Sequence, residues 1–207
     1  AGTIAYAGGC SSSTTAATTD NNTITFNTLS DGPYSNCTIT VTDNASNTSD
    51  NLSVNSFTID ATAPTLGEET RVSTPTNDNE TSYTFSSNEA GTITYGGSCS
   101  SSTTAASVGD NTITFNELAD NTYSNCTIRV TDNVSNTSSP LSVSSFTIDT
   151  TAPTLSEVTP VSTPINDSTP NYIFSSTEAG TITYGGSCSS STTAASASSN
   201  TITFNAL

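Results

Sequence analysis

The 207-residue chain contains no Lys, His, Met or Trp, and its only basic residues are Arg71 and Arg129. Each absence excludes something. Binding to nucleic acid needs clustered Lys or Arg to neutralise phosphates, and an anionic membrane surface makes the same demand. With 18 acidic residues and a formal charge of −16, this surface repels both and attracts divalent cations. Without His or Lys there is no conventional base to activate a Ser or Cys nucleophile. No apolar run approaches the roughly 20 residues of a membrane helix. The hydrophobic fraction is only 31%, which would suit disorder, were the apolar residues not regularly spaced.

That regularity is the main feature. Cys10, Cys99 and Cys188 recur at 89-residue intervals, and the same shift carries Cys37 onto Cys126, Tyr34 onto Tyr123, Asp60 onto Asp149 and Pro64 onto Pro153. Residues 1–29 match residues 90–118 at 21 of 29 positions. An internal repeat of this length outranks other sequence signals. The punctuation is DATAPTL at 60–66 and DTTAPTL at 149–155. Read as linkers, these give one whole unit, 61–149. Before it lies the C-terminal part of a unit, 1–60, and after it the N-terminal part of another, 150–207. The chain is therefore expected to be an internal stretch of a longer repetitive protein, with no start Met or signal sequence of its own. The partner of Cys188 is expected 27 residues further on, past Leu207.

Alternation of apolar residues with Thr or Ser predicts strands at 82–87, 92–97, 111–118, 126–132 and 141–149. Turn signals separate them at Pro75–Asn79, Asn88–Gly91, Asp120–Asn121 and Asp132–Asn136. No segment has helical periodicity. The fold class expected is all-β. About seven short strands per unit is the count of an immunoglobulin-like β-sandwich, here repeated as an elongated array of beads. Alternate positions place Ile93, Tyr95, Ile113, Phe115, Ile128, Val130, Phe146 and Ile148 in the core. Such a core is small, so a further staple would help it.

Cys99 and Cys126 lie 27 residues apart, as do Cys10 and Cys37. Two cysteines per unit, without His or CxxC spacing, cannot complete a zinc site. A disulfide in each unit is the expectation, which implies an oxidising compartment. The run GGSCSSSTTAAS at 96–107 lacks the basic residue and the GK[ST] ending of a phosphate loop, and reads as a solvated loop. Acidic positions recur from unit to unit, which argues against one opposed carboxylate pair in a glycosidase cleft. The chain is not expected to be an enzyme. Sequons at Asn36, Asn44, Asn47, Asn125, Asn133 and Asn136 arise by chance in a chain this rich in Asn, Ser and Thr.

ADNTYSNCTIRVTDNVSNTS (119–138), followed by SFTIDTTAPTL (145–155), and the copy at 29–66 resemble the bacterial Ig-like repeats of large surface adhesins. The cysteine pair and the Asn-rich DNASN and DNVSN turns depart from that family's usual pattern. The resemblance implies a cell-surface or secreted protein whose repeats form a stalk. It also implies a tyrosine corner at Tyr34 and Tyr123, and Ca²⁺ at the joints between units. Ca²⁺ takes six to eight oxygen ligands. Asp60 and Asp149 occupy the linkers, Asp78, Glu80 and Asp167 lie in loops expected to approach the preceding linker, and Asp43 and Asp132 end a strand. The same Asp and Asn residues also serve as turn formers, and no EF-hand spacing is present, so two readings of them stand side by side. No Lys exists for the Lys–Asn isopeptide bond of some surface fibres.

The expected function is a non-enzymatic stalk or spacer of an extracellular surface protein. Its partners are neighbouring repeats of the same chain, with lateral self-association into a fibre as a further form. Neither nucleic acid nor membrane insertion is expected. A self-assembling filament is the second reading. A glycan- or ice-binding module is the third, disfavoured by the lack of Trp and of a regular T-x-T ladder.

Overall fold

A computed structural model describes residues 1–206. The chain is all-β, and no helix occurs among the described residues. Residues 1–60 hold β1 (Gly2–Ala7), β2 (Ala16–Ala17), β3 (Gly32–Tyr34), β4 (Thr38–Asp43), β5 (Leu52–Ser53) and β6 (Phe57–Ile59). Residues 61–149 open with β7 (Leu66–Thr70), β8 (Ser82–Ser87), β9 (Gly91–Gly96), β10 (Ala105–Ala106) and β11 (Gly109–Thr114). They close with β12 (Asn121–Tyr123), β13 (Thr127–Thr131), β14 (Leu141–Ser142) and β15 (Phe146–Ile148). Residues 150–206 hold β16 (Leu155–Thr159), β17 (Asn171–Ser176), β18 (Gly180–Thr181), β19 (Ala194–Ala195) and β20 (Ser198–Thr203).

The middle stretch forms a sheet in the order β10-β9-β13-β14, a second in the order β11-β8-β7, and the pair β12-β15, an arrangement consistent with a β-sandwich. The order β2-β1-β4-β5 precedes it, and β16-β17-β20 follows. Ladder pairings are antiparallel, and register recurs with the sequence: Ala7 faces Thr38 as Gly96 faces Thr127. The reason is the alternation itself. In Thr127–Thr131 the side chains of Ile128 and Val130 point inward and are buried, while Arg129 points out, because a strand turns successive side chains to opposite faces.

One core fills the middle stretch. Tyr83, Phe85, Phe115 and Phe146 are at its centre, with Ile113, Ile128, Val130 and Ile148 around them. Phe115 stacks at 5.9 Å on Phe146, which stacks at 5.3 Å on Tyr123. Tyr95 departs from expectation: it is only half-buried, and its hydroxyl donates to the Thr103 carbonyl at 2.6 Å. Residues 141–149 are not one strand. Leu141–Ser142 pairs with β13 and Phe146–Ile148 with β12. Val143 and Phe146 are both buried, and an odd step of three cannot keep both on one face of a continuous strand. The chain therefore crosses between sheets at Ser144–Ser145.

Candidate functional site

The structure concentrates polar contacts where the sequence placed its linkers. Upstream, the turn after Leu29 aims the Asp31 carboxylate at the chain that follows β6. Asp31 Oδ1 accepts the Ala61 N–H at 2.9 Å, and Oδ2 accepts the Thr62 hydroxyl. The hydroxyl of Thr62 and the N–H of Ala61 hold Asp31 below the usual carboxylate range. The arrangement recurs 89 residues on. Asp120 Oδ1 accepts the Thr150 N–H at 2.8 Å, and Oδ2 accepts the Thr151 hydroxyl at 2.6 Å. The Thr151 and Thr150 hydroxyls lower its pKa in the same way.

Downstream, Asp132 directly follows β13 and folds the next four residues around itself. Its Oδ1 accepts the Val134 and Asn136 N–H groups at 2.9 and 2.8 Å, and Oδ2 accepts Asn136 Nδ2 at 2.8 Å. Burial pushes the Asp132 carboxyl up, but the Asn136 side chain, with the backbone donors, outweighs this and holds it low. Asp43 makes the equivalent turn with Asn47. The turn-forming reading of these two residues is thus realised. Asn136 reaches further: its Nδ2 also donates to the Asp60 carbonyl at 3.2 Å.

Glu89 completes the group. The carboxylates of Asp60, Glu89 and Asp132 each place an oxygen within 4.8 Å of the others. Three negative charges at this separation repel one another, most strongly where solvent is partly excluded. Two oxygens bound to one Ca²⁺ lie at most about 5.2 Å apart, twice the longest usual Ca–O distance, so the spacing fits that ion. The donor set is oxygen only, which suits a hard cation rather than a thiophilic one.

The remaining acidic candidates lie elsewhere. Asp78 accepts the Glu80 N–H at 3.1 Å and Asp167 accepts the Thr169 N–H at 2.9 Å, so each caps its own turn. Loop 75–78 does not approach the preceding linker. Thr76 pairs with Ile148, and its carbonyl accepts the Asp149 N–H at 2.9 Å, which sets the loop against the following linker. The physical reason is that short parallel pairing, which anchors the loop at the far end of the middle stretch. Asp149 lines an open cleft with Pro75, Thr76 and Asn77.

Sequence reasoning missed Glu89, Asp31 and Asp120 as members of these polar clusters. Their signal was the repeat: Glu89 recurs as Glu178, and Asp31 as Asp120, at the 89-residue interval.

Cys10 meets Cys37 with Cα atoms 5.4 Å apart, and Cys99 meets Cys126 at 5.3 Å. Both pairs are bonded, and Cys188 is free and exposed. Two disulfides indicate an oxidising, non-cytoplasmic setting. No helix among the described residues is long and apolar enough to cross a membrane. The loop after β9 spends its polar groups internally: Asn125 Oδ1 accepts the Ser98 N–H, and the Ser101 hydroxyl donates to the Thr114 carbonyl. Tyr34 and Tyr123 each donate a hydroxyl proton to a carbonyl four residues upstream, at Ser30 and Ala119. No family model, no curated protein and no solved structure matches the chain.

Proposed function

We infer that the chain is a run of immunoglobulin-like units, with 61–149 one whole unit between parts of two others, serving as a non-enzymatic spacer in an extracellular surface protein. The observation that carries this reading is the linker clamp. A carboxylate from the end of one unit holds the first two residues beyond it, at Asp31 and again at Asp120. A joint fixed by several hydrogen bonds resists bending, and stiffness is what a spacer needs. The Ig-like assignment is supported by the two facing sheets and by the tyrosine hydroxyls that bond back to the chain before the strand, as in a tyrosine corner. The cleft beside the first linker is lined by Ala63, Pro64, Thr65, Leu66, Thr137, Ser139, Pro140 and Leu141, with no titratable side chain among them. That lining favours a passive surface.

Ca²⁺ belongs to the same reading. Asp60, Glu89 and Asp132 would hold it, and the ion would replace mutual repulsion with attraction across the joint. Asp149 and Glu178 are the corresponding residues at the next linker, while Asp78 and Asp167 cap turns.

Small-angle scattering of the 207-residue chain, extrapolated to zero concentration, tests the spacer. A compact chain of this length has a radius of gyration of about 17 Å. A spacer gives a value well above that, which grows less sharply defined in Asp31→Ala, and a value near 17 Å would contradict the reading. Calorimetric titration with Ca²⁺ should show a site that Glu89→Gln and Asp60→Asn weaken. No heat at millimolar Ca²⁺ would remove the metal and leave the spacer intact.

A further inference from the structure

The first and last segments of the middle stretch lie side by side and run the same way. After β7 the chain passes through the buried Val72 to Thr76, where it forms a parallel bridge to Ile148 of β15. The ladders of the middle stretch are antiparallel, so this contact stands apart from them. Thr76 donates its N–H to the Thr147 carbonyl at 3.0 Å, and its own carbonyl accepts the Asp149 N–H at 2.9 Å. The Thr147 N–H donates to Thr74 Oγ1 at 3.0 Å. Nearer the start of the stretch, Glu68 accepts the Ser144 N–H at 2.8 Å and the Ser144 hydroxyl at 2.6 Å. Residues 68–76 are thus tied to residues 144–149 along their whole shared length.

The position of these bonds relative to the linkers gives them a consequence. The chain enters the stretch just before β7, where the Thr65 N–H donates to Asn88 Oδ1 at 2.6 Å and the Thr65 carbonyl accepts the Asn88 N–H at 3.2 Å. It leaves just after β15, where Asp120 holds Thr150 and Thr151. A pull on the two linkers draws 68–76 back towards the start of β7 and draws 144–149 onward past Ile148. Because the two segments are parallel, such a pull slides one along the other. Bonds between neighbouring strands run across the strand direction, so all of them are strained at once. A hairpin pulled apart at its ends would instead present its bonds one at a time. Val72, Phe146 and Ile148 anchor both segments in the same core, so neither can slide without drawing apolar side chains out of it.

We propose that 68–76 and 144–149 form a mechanical clamp, and that a further function of the unit is to bear tension passed along the chain. The proposal rests on the spacer reading, in which load travels from linker to linker. Both halves of the clamp are written into the repeat. VSTPTND at 72–78 recurs as VSTPIND at 161–167, SFTID stands at 56–60 and again at 145–149, and Glu68 recurs as Glu157.

Forced unfolding is governed by the rate of crossing the barrier rather than by equilibrium stability. Removing a contact that breaks at the barrier speeds unfolding, while removing one still intact there changes the rate little. The clamp therefore predicts that where a contact lies matters more than what it contributes to stability.

A single-molecule force clamp on the 207-residue chain, held by its two ends, tests this. The disulfide identifies the middle stretch. Cys99 and Cys126 are 27 residues apart, so replacing both with Ser adds about 90 Å to the length released when this stretch ruptures, at roughly 3.3–3.6 Å per residue. Thr74→Val combined with Ser144→Ala removes one acceptor and one donor of the clamp. At fixed force it should raise the unfolding rate at least about tenfold. Ile128→Val trims the core on the inner strand β13, outside the clamp. It should raise that rate less than about threefold, although chemical denaturation shows that it too loses stability. Equal acceleration by the two variants overturns the proposal, as does a clamp variant that unfolds no faster than the parent. Scattering reads the spacer separately. An extended chain with equal rates removes the clamp alone, whereas a compact chain removes the spacer and with it the load.

Discussion

Phe146 and Phe57 occupy the same position of the repeat, in the same SFTID context, yet Phe146 is 1% exposed and Phe57 is half-buried. Both strands form, and both pair with the strand that carries the tyrosine. The difference lies far away in sequence. Phe146 has the β11-β8-β7 sheet against its core, and among the described residues Phe57 has no such sheet. Strand formation is therefore a local property of these segments, while burial is supplied by partners some 60 residues distant. Removing a buried aromatic leaves a cavity and loses transfer energy, so Phe146→Ala should destabilise the middle stretch by about 3–5 kcal/mol. Phe57→Ala should cost residues 1–60 less than half as much. Urea unfolding of the two variants would show this, and equal losses would mean that the contrast in exposure is energetically empty.

The cysteines sharpen the contrast from the other side. Cys10 and Cys99 are both 5% exposed, and Cys37 and Cys126 both 2%. All four lie in segments common to the two stretches, and their exposure is the same with and without that sheet. On the loop-entropy model a 27-residue separation gives about 3–4 kcal/mol for either bridge. Cys99→Ser and Cys10→Ser should then lower stability comparably in their own stretches, by chemical denaturation. A bridge much weaker in 1–60 would show that the neighbouring sheet matters even to residues whose exposure it leaves unchanged.

Much of this was legible in the sequence, and the failures have physical causes. Alternating segments such as TIRVT announced their strands because one face is apolar and the other wet. β7 was invisible, since LGEET carries two carboxylates and looks like a loop. Its Glu68 is nonetheless satisfied by Ser144 and by the Tyr83 hydroxyl, contacts that no local pattern can encode. The 141–149 segment hid its crossing in a step of three between apolar residues. At the junction, Asp60 and Asp132 could be named because linkers and strand ends are visible as Pro-containing punctuation and Asn-rich turns. Glu89 could not, since it follows an ordinary strand and meets the others only when the fold brings β8 and β13 to the same end.

Glu68 also gives the smallest and most specific way to test the contrast, through acid. Burial alone would raise its carboxyl, but the hydroxyl and N–H of Ser144, the Tyr83 hydroxyl and Arg71 lower it below the ordinary glutamate value of 4.5. A carboxyl depressed in the folded state contributes stability that is fully present above its unfolded value and is lost as pH falls through the folded one. The middle stretch should therefore hold its stability from neutral pH down to about 5 and lose it below 4.5. Asp132 and Asp120 are lowered as well, so Glu68→Gln should flatten that decline without abolishing it. At neutral pH the substitution should cost about 1–3 kcal/mol, because buried donors lose a charged acceptor. Arg71 contacts the same carboxylate at 2.8 Å, but its side chain is 73% exposed, and an exposed ion pair contributes about 0–1 kcal/mol. Arg71→Ala should therefore leave both the stability and the acid profile nearly unchanged. The third stretch has Pro160 at that position, where no ion pair can form. If Arg71→Ala cost as much as Glu68→Gln, the clamp on β7 would be an ion pair rather than a set of hydrogen bonds from Ser144.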